Sequence, residues 1–373
     1  MNPLLKLQEE GVSVWLDYLS RDLTNGGGLK RFIDNDGMRG ETSNPTIFQK
    51  SISEGQSYDA QIVALGKQDK NAEDICWELM VTDVRAACDV FRPLFDASGG
   101  EHGHVSLEVN PLFARDTEKS IGQGRDLWKR VDRPNLFIKV PATSEGLPVI
   151  ETLLYEGINV NVTLLFAVQR YEEVILTYLK ALERRAAEGR SVDILSVASF
   201  FVSRVDSEVE KRFDKLEAAA KTEADALRGK VAIANARVAY GKFQEHFEGS
   251  RFAALKAKGA KVQRPLWAST STKNPTYKDT MYVDDLIGPD CVNTMPQETI
   301  DAFRDHGTVK RTLTAQTIAD GHRRLEALAK VGVDLDDVTL NTLIKEGVQK
   351  FADSYNSLIA AVEKEREKLL SPH

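Results

Sequence analysis

The chain alternates between short stretches in which apolar and polar residues follow one another with a period of two and longer stretches with a period near 3.6. Val12–Asp17, VSVWLD, puts Val12, Val14 and Leu16 on one face and Ser13, Trp15 and Asp17 on the other. His104–Asn110 opposes Val105, Leu107 and Val109 to Ser106, Glu108 and Asn110. Leu136–Val140 opposes Leu136, Ile138 and Val140 to Phe137 and Lys139, and Pro141, with no N–H to give a ladder, ends it. Ile158–Thr163 sets Ile158, Val160 and Val162 against Asn159, Asn161 and Thr163. MRGETSNP is an extended run ending at Asn44, which the following Pro45 holds out of helical geometry. SVDILSVASFF at 191–201, QRPLWAST at 263–270 and Cys291–Pro296 complete the strands. Helical periodicity is predicted over about 3–10, 28–36, 71–96, 117–131, 145–156, 167–188, 204–223 and 230–247. Several helices follow from Gln297 to the charged run EKEREKLL, which reads as a solvated helix able to close over a site or support a dimer.

Strand followed by helix, about eight times, implies a parallel sheet, because parallel neighbours need crossover connections. The strands of an open doubly wound sheet are buried on both faces and read as nearly continuous apolar runs. These strands interleave apolar residues with Asn, Thr, Ser, Glu and Lys. A closed barrel accommodates that, since one face packs on outer helices and the other lines an interior with a polar upper layer. The expected fold is a (β/α)8 barrel with additional helices at both termini. It is expected to form a single domain over 1–373, with 297–373 a mainly helical portion packed on the barrel.

In that fold the carboxyl ends of the strands carry chemistry. Asp17, Asn44, Glu108, Lys139, Asn161 with Thr163, and Ser199 all fall there on the inward face. A lone strand lysine would simply reach water; convergence of polar residues from six strands argues otherwise. An ordinary lysine amine titrates near 10.4, so about one in a few thousand is neutral at pH 7. Apolar walls lower that value and free the nucleophile, while ionised Asp17 and Glu108 oppose the effect. A neutral amine beside carboxylates and amides can form a Schiff base with a carbonyl substrate. Its protonated imine is an electron sink for an adjacent carbon–carbon bond. Carboxylates on two different strands can serve different proton transfers.

Bulk composition narrows the partners. A net charge of −7 argues against a general nucleic-acid binder and leaves room for a local basic phosphate pocket. Cys76, Cys88 and Cys291 are odd in number and far apart, without disulfide or zinc spacing, which points to a reducing, cytoplasmic setting. MNPLLKLQEE lacks the apolar core of a signal peptide, and no run approaches the ~18 apolar residues of a membrane span. His102 and His104 in EHGH read as exposed loop residues rather than a metal pair. Cys76 and Cys88 read as core, and Asp284–Asp285 as a loop cap near the eighth strand.

GETSNPTIF, VSLEVNP, LFIKVPAT, NVTLLF and SFFVSRVD, in this order and spacing, resemble transaldolase, and more narrowly its longer bacterial subgroup. The resemblance runs from about residue 12 to 300. It implies that Lys139 is the Schiff-base lysine and that Asp17 handles the proton of the substrate C4 hydroxyl. Glu108 and Thr163 match the pair that position the water of imine formation and hydrolysis. Asn44, Asn161 and Ser199 match contacts to the dihydroxyacetone unit, Phe201 an aromatic wall, and Arg204 a phosphate-binding arginine. The implied reaction belongs to the non-oxidative pentose phosphate pathway. Sedoheptulose 7-phosphate and glyceraldehyde 3-phosphate exchange a three-carbon ketol unit to give erythrose 4-phosphate and fructose 6-phosphate, with no metal or organic cofactor. One segment departs from the commoner pattern: after the seventh strand, where many transaldolases carry Ser-aromatic-Arg, this chain has ASTSTKNP. Lys273 can replace the arginine as a point charge, with Ser269 or Ser271 donating hydrogen bonds. A related Schiff-base aldolase that releases free ketone and a non-catalytic sugar-phosphate-binding barrel are the alternatives. The expected assembly is a monomer or homodimer.

Overall fold

A computed structural model describes residues 2–54 and 56–371; Met1, Gly55 and the last two residues of the expected helical portion, Pro372 and His373, lie outside it. Parallel strands close into a barrel in sequence order. They are β1 Val12–Leu16, β2 Gly40–Glu41, β3 His104–Glu108, β4 Leu136–Pro141, β5 Val160–Leu165, β6 Ser196–Phe201, β7 Arg264–Ala268 and β8 Cys291–Met295. A ladder from Val12↔Cys291 to Leu16↔Met295 joins β1 to β8 and closes the ring. The (β/α)8 barrel expected from the alternation is the observed fold. Lys139 pairs with Glu108 across β3–β4 and with Asn161 across β4–β5, so three inward polar residues share one level of the wall.

Helix starts follow local chemistry. Asn2, Asn71 and Asp116 accept N–H groups of the first turns of Pro3–Glu9, Ala72–Ala97 and Thr117–Val131. Cys76 and Cys88 lie on the buried face of Ala72–Ala97, as expected. The single helix expected over 204–223 is two, Ser203–Phe213 and Ala218–Asp225. Its apolar stripe of Val205, Val209 and Phe213 stops at Phe213, and the second piece buries only Ala224, so nothing holds one continuous rod. Only Ser196–Phe201 of the 191–201 run pairs as strand, and β2 shrinks to Gly40–Glu41. Two helices without a clear periodic signal, Pro45–Glu54 and Asp59–Gly66, follow β2. Pro45 starts the first of them, where its missing N–H costs nothing, and the Asn44 side chain accepts from Ile47 N–H at 3.0 Å.

The lower barrel is filled by aromatic rings. Trp15 stacks on His104 and on Phe137, each at 6.1 Å between ring centroids. Gly40 is required beside them, because a Cβ there would come within 2.4 Å of the indole. The expectation that His102 and His104 are exposed is overturned. Both are buried, and His104 begins β3 with its ring also edge-on to Phe95. Burial, and then the Arg264 charge, push the His104 ring well below the ordinary histidine range, so it serves as a neutral aromatic filler. His102 Nδ1 lies 3.3 Å from Ser13 Oγ, which accepts from Arg264 at 2.9 Å, and this polar group seals the floor.

The final helix, Leu343–Leu370, covers the opposite end of the barrel. Leu343, Gly347, Phe351, Tyr355, Leu358 and Val362 recur every three or four residues and form its buried stripe. It packs on Pro45–Glu54, Asp59–Gly66, Ala72–Ala97 and β5. Gly347 lets the rod come close, since a Cβ there would lie 2.9 Å from Leu164 Cδ2. Leu164 sits at φ +55° in a bulge where the β5–β6 register slips.

Candidate active site

Lys139 is 4 % exposed, at the centre of the carboxyl-terminal mouth. The pleat aims it inward, and Pro141 and the loop beyond it end the strand just above. Its Nζ lies 3.4 Å from Glu108 Oε2, donates to the Ser43 carbonyl at 3.2 Å, and sits 5.8 Å from the centroid of the Phe351 ring. Burial pushes the Glu108 carboxyl above its usual range, and the lysine charge opposes that rise. Asp17, just past β1, is likewise raised by burial. The Thr42 hydroxyl, donating to Asp17 Oδ1 at 2.7 Å, is the largest opposing influence, followed by the charges of Lys139, Arg204 and Lys273.

Above the lysine is a cavity of about 160 Å³. Asp17, Asn44, Lys139, Ser199, Phe201, Arg204, Ser269, Ser271 and Lys273 line it, so the structure gathers most of the positions picked out in the sequence. Glu108, Asn161 and Thr163 are not on its wall. Glu108 meets the amine from the side, and Asn161 is engaged within the wall, donating to Ser106 Oγ at 3.0 Å while its Oδ1 accepts from Ser199 at 2.7 Å. Thr163 pairs across the ladder with Pro141, the second residue after Asn161↔Lys139. Among the described residues Thr163 Oγ1 has no hydrogen-bond partner, and Glu108 Oε2 has none beyond its ion pair.

One side of the mouth is cationic. The Arg204 guanidinium lies over the Phe201 ring at 4.9 Å, and Phe201 tilts against Phe166 with centroids 5.2 Å apart. Lys273 donates to Ser271 Oγ at 2.6 Å, whereas Ser269 Oγ lies 2.9 Å from Ser203 Oγ and is already engaged. Of the two serines, Ser271 is therefore the one that travels with the lysine. Lys350, exposed on the covering helix, lines the groove beside this mouth and not its wall; partial burial, then the charges of Arg204 and Lys273, hold it below the ordinary lysine range.

Sequence reasoning missed Phe351, which comes from a helix some two hundred residues beyond Lys139 and follows no strand pattern. It also missed Thr42 and Thr294, whose hydroxyls meet at 2.6 Å beside Asp17. For Thr42 a signal existed, since it is the next inward position after Gly40. A hollow of about 370 Å³ on the other side of the Phe166–Phe201 pair is lined by Arg115, Arg170 and Lys345, and has no amine flanked by carboxylates.

A buried lysine on the fourth strand, flanked by carboxylates from the first and third, is an arrangement that comparison with known proteins can test. Residues 14–362 match the family model described as Transaldolase/Fructose-6-phosphate aldolase. The chain belongs to this family. It is accordingly an enzyme. A protein of Mycobacterium leprae named transaldolase is 50 % identical over 371 residues, covering 99 % of this chain and 98 % of that protein. Transaldolases of Frankia alni and Mycobacterium tuberculosis are each 50 % identical, over 362 and 361 residues, covering 97 % and 96 % of this chain and 96 % of each relative. The match spans the covering helix as far as Val362, so the lid segment lies within the family's own extent.

Proposed function

We propose that this enzyme transfers a dihydroxyacetone unit between sugar phosphates through a Schiff base on Lys139. The observation that carries the proposal is the buried amine, 3.4 Å from Glu108, in a mouth that also holds Asp17 and a cationic side. The Lys139 amine attacks the C2 carbonyl of a ketose phosphate, and the carbinolamine expels water to leave a protonated imine. Asp17 takes the C4 hydroxyl proton, the C3–C4 bond breaks, and the aldose phosphate departs. The electron pair rests in the enamine until a second aldehyde takes it up, with Asp17 returning its proton. Water then hydrolyses the imine. A carboxyl raised by burial moves protons near neutrality more readily than an ordinary aspartate, which suits Asp17 to this shuttle.

Glu108 and Thr163 are assigned to the water of imine formation and hydrolysis, supported by polar atoms that are buried without a hydrogen-bond partner among the described residues. Asn44, Asn161 and Ser199 are assigned to the hydroxyls of the three-carbon unit, and Phe201 to an apolar wall. Arg204, Ser271 and Lys273 are assigned to the phosphate. Fructose 6-phosphate and sedoheptulose 7-phosphate are the proposed donors, with erythrose 4-phosphate and glyceraldehyde 3-phosphate as acceptors. A reducing, cytoplasmic setting fits the buried, unpaired cysteines, and among the described residues no helix is long and apolar enough to cross a membrane.

Borohydride trapping with fructose 6-phosphate, followed by peptide mass spectrometry, tests this directly. A three-carbon adduct on the Lys139 peptide is expected, and Lys139→Met should abolish it. A six-carbon adduct would mean binding without cleavage. No adduct on Lys139 in folded protein would refute the assignment.

A further inference from the structure

The loop after β7, residues 269–280, carries Ser271 and Lys273, and hydrogen bonds from the loop and the helix after it tie them to the helix that carries Arg204. Ser203 and Ser269 hydroxyls lie 2.9 Å apart, and Ser203 N–H donates to the Ser269 carbonyl at 3.1 Å. One turn further along Ser203–Phe213, Asp206 Oδ2 accepts from the Tyr282 hydroxyl at 2.8 Å. After another turn, Glu210 accepts from the Tyr277 hydroxyl. Positions 203, 206 and 210 are spaced by three and four, so they share one helix face. The carboxylates also grip the start of the helix Val231–Phe247 and the residue two before it: Asp206 Oδ1 accepts from Ala232 N–H at 2.8 Å, and Glu210 Oε1 from Gly229 N–H at 3.0 Å. Gly229, at φ +67°, seats the Tyr277 ring, since a Cβ there would come 2.9 Å from Tyr277 Cζ.

The staple answers an electrostatic problem. Arg204 and Lys273 line the same small cavity, and both stand close enough to Asp17 for their charges to lower its carboxyl. Between substrates these cations repel one another, and a lysine on a loop can swing away at little cost. We infer that the two tyrosine–carboxylate bonds hold Lys273 at a set separation from Arg204, making Tyr277, Tyr282, Asp206 and Glu210 positioning residues for phosphate. This rests on the phosphate assignment made above. Preorganised cations lose less freedom when phosphate binds, so the staple acts on affinity for the phosphoryl group and not on the chemistry at Lys139.

Tyr277→Phe, alone and with Tyr282→Phe, removes the hydroxyls and keeps the rings. For each variant KM and kcat are measured with fructose 6-phosphate and with unphosphorylated fructose, together with inhibition by inorganic phosphate. Loss of one hydrogen bond to a charged group is expected to raise KM for fructose 6-phosphate and the phosphate inhibition constant roughly tenfold. The kcat, and the KM for fructose, should stay as they were. Glu210→Gln, which keeps an acceptor for Tyr277, should show a smaller rise. Equal losses with both sugars, or no change with either, would overturn the staple. Trapping on Lys139 in the unaltered enzyme separates the two claims: its failure sinks the site assignment, whereas normal trapping with unaltered phosphate discrimination in the variants sinks the staple alone.

Discussion

Replacing Thr42 by valine deletes one hydroxyl, keeps the side-chain shape, and leaves every proposed catalytic residue in place. Thr42 is 2 % exposed and donates to Asp17 Oδ1 at 2.7 Å. Burial, the dominant influence on Asp17, favours the neutral acid, and the Thr42 bond is the strongest of the influences restoring the carboxylate. A hydrogen bond to a charged group contributes about 1.5–3 kcal/mol, equivalent to roughly one to two pH units. The sign follows from which form works: cleavage needs the carboxylate, so losing the donor moves the acid limb of kcat upward. Turnover on the alkaline plateau should be unchanged, because the base itself remains. Initial rates with fructose 6-phosphate and erythrose 4-phosphate, taken from about pH 5 to 9, would show the limb displaced in Thr42→Val and restored in Thr42→Ser. An acid limb that stays in place, or moves down, would refute the claim that Thr42 tunes Asp17.

Two further outcomes are expected. Lys273→Ala should weaken affinity for phosphorylated substrates roughly tenfold or more while kcat at saturation is kept, and an unchanged KM would remove Lys273 from the phosphate site. Glu41 supplies a stability test: it is fully buried, neither carboxyl oxygen has a hydrogen-bond partner among the described residues, and burial, then Asp83, push its carboxyl well above 4.5. The folded carboxyl holds its proton to higher pH than the unfolded chain's does, so this contribution is intact below pH 4.5 and is lost as pH rises through the raised folded value. The stability of Glu41→Gln relative to the unaltered protein should therefore grow as pH rises above 4.5 in urea unfolding, and a flat or opposite trend would show that Glu41 is ionised in the fold.

The barrel was legible because its signal is local. Strict alternation in VSVWL, HVSLE and VNVT gives strand, face and direction from neighbours alone, and the same alternation puts Asp17, Glu108, Lys139 and Asn161 on the inner wall. Alternation fixes a face only where a strand is long enough to show it. β2 pairs through two residues, so MRGETSNP showed only as an extended run, and the two short helices after it stayed unread. The burial of His104 was missed for a related reason: glycines on the approach to β3 suggest an exposed loop, and only the rings of Trp15, Phe95 and Phe137 closing around the imidazole make it core.

What the amino-acid order determined, then, was the wall of the site: which residues share a face, at which end of each strand, and in what sequence around the ring. What the tertiary structure alone decided was the roof and the electrostatics. Phe351 reaches the mouth because an amphipathic helix some two hundred residues away must bury its stripe, and the end of the barrel is where Leu164 and Gly347 let it lie. The carboxyls of Asp17 and Glu108 stand above their usual range because burial raises them more than neighbours such as Thr42 and Lys139 lower them. Desolvation and Coulomb interaction depend on distance through space, and separation along the chain carries neither.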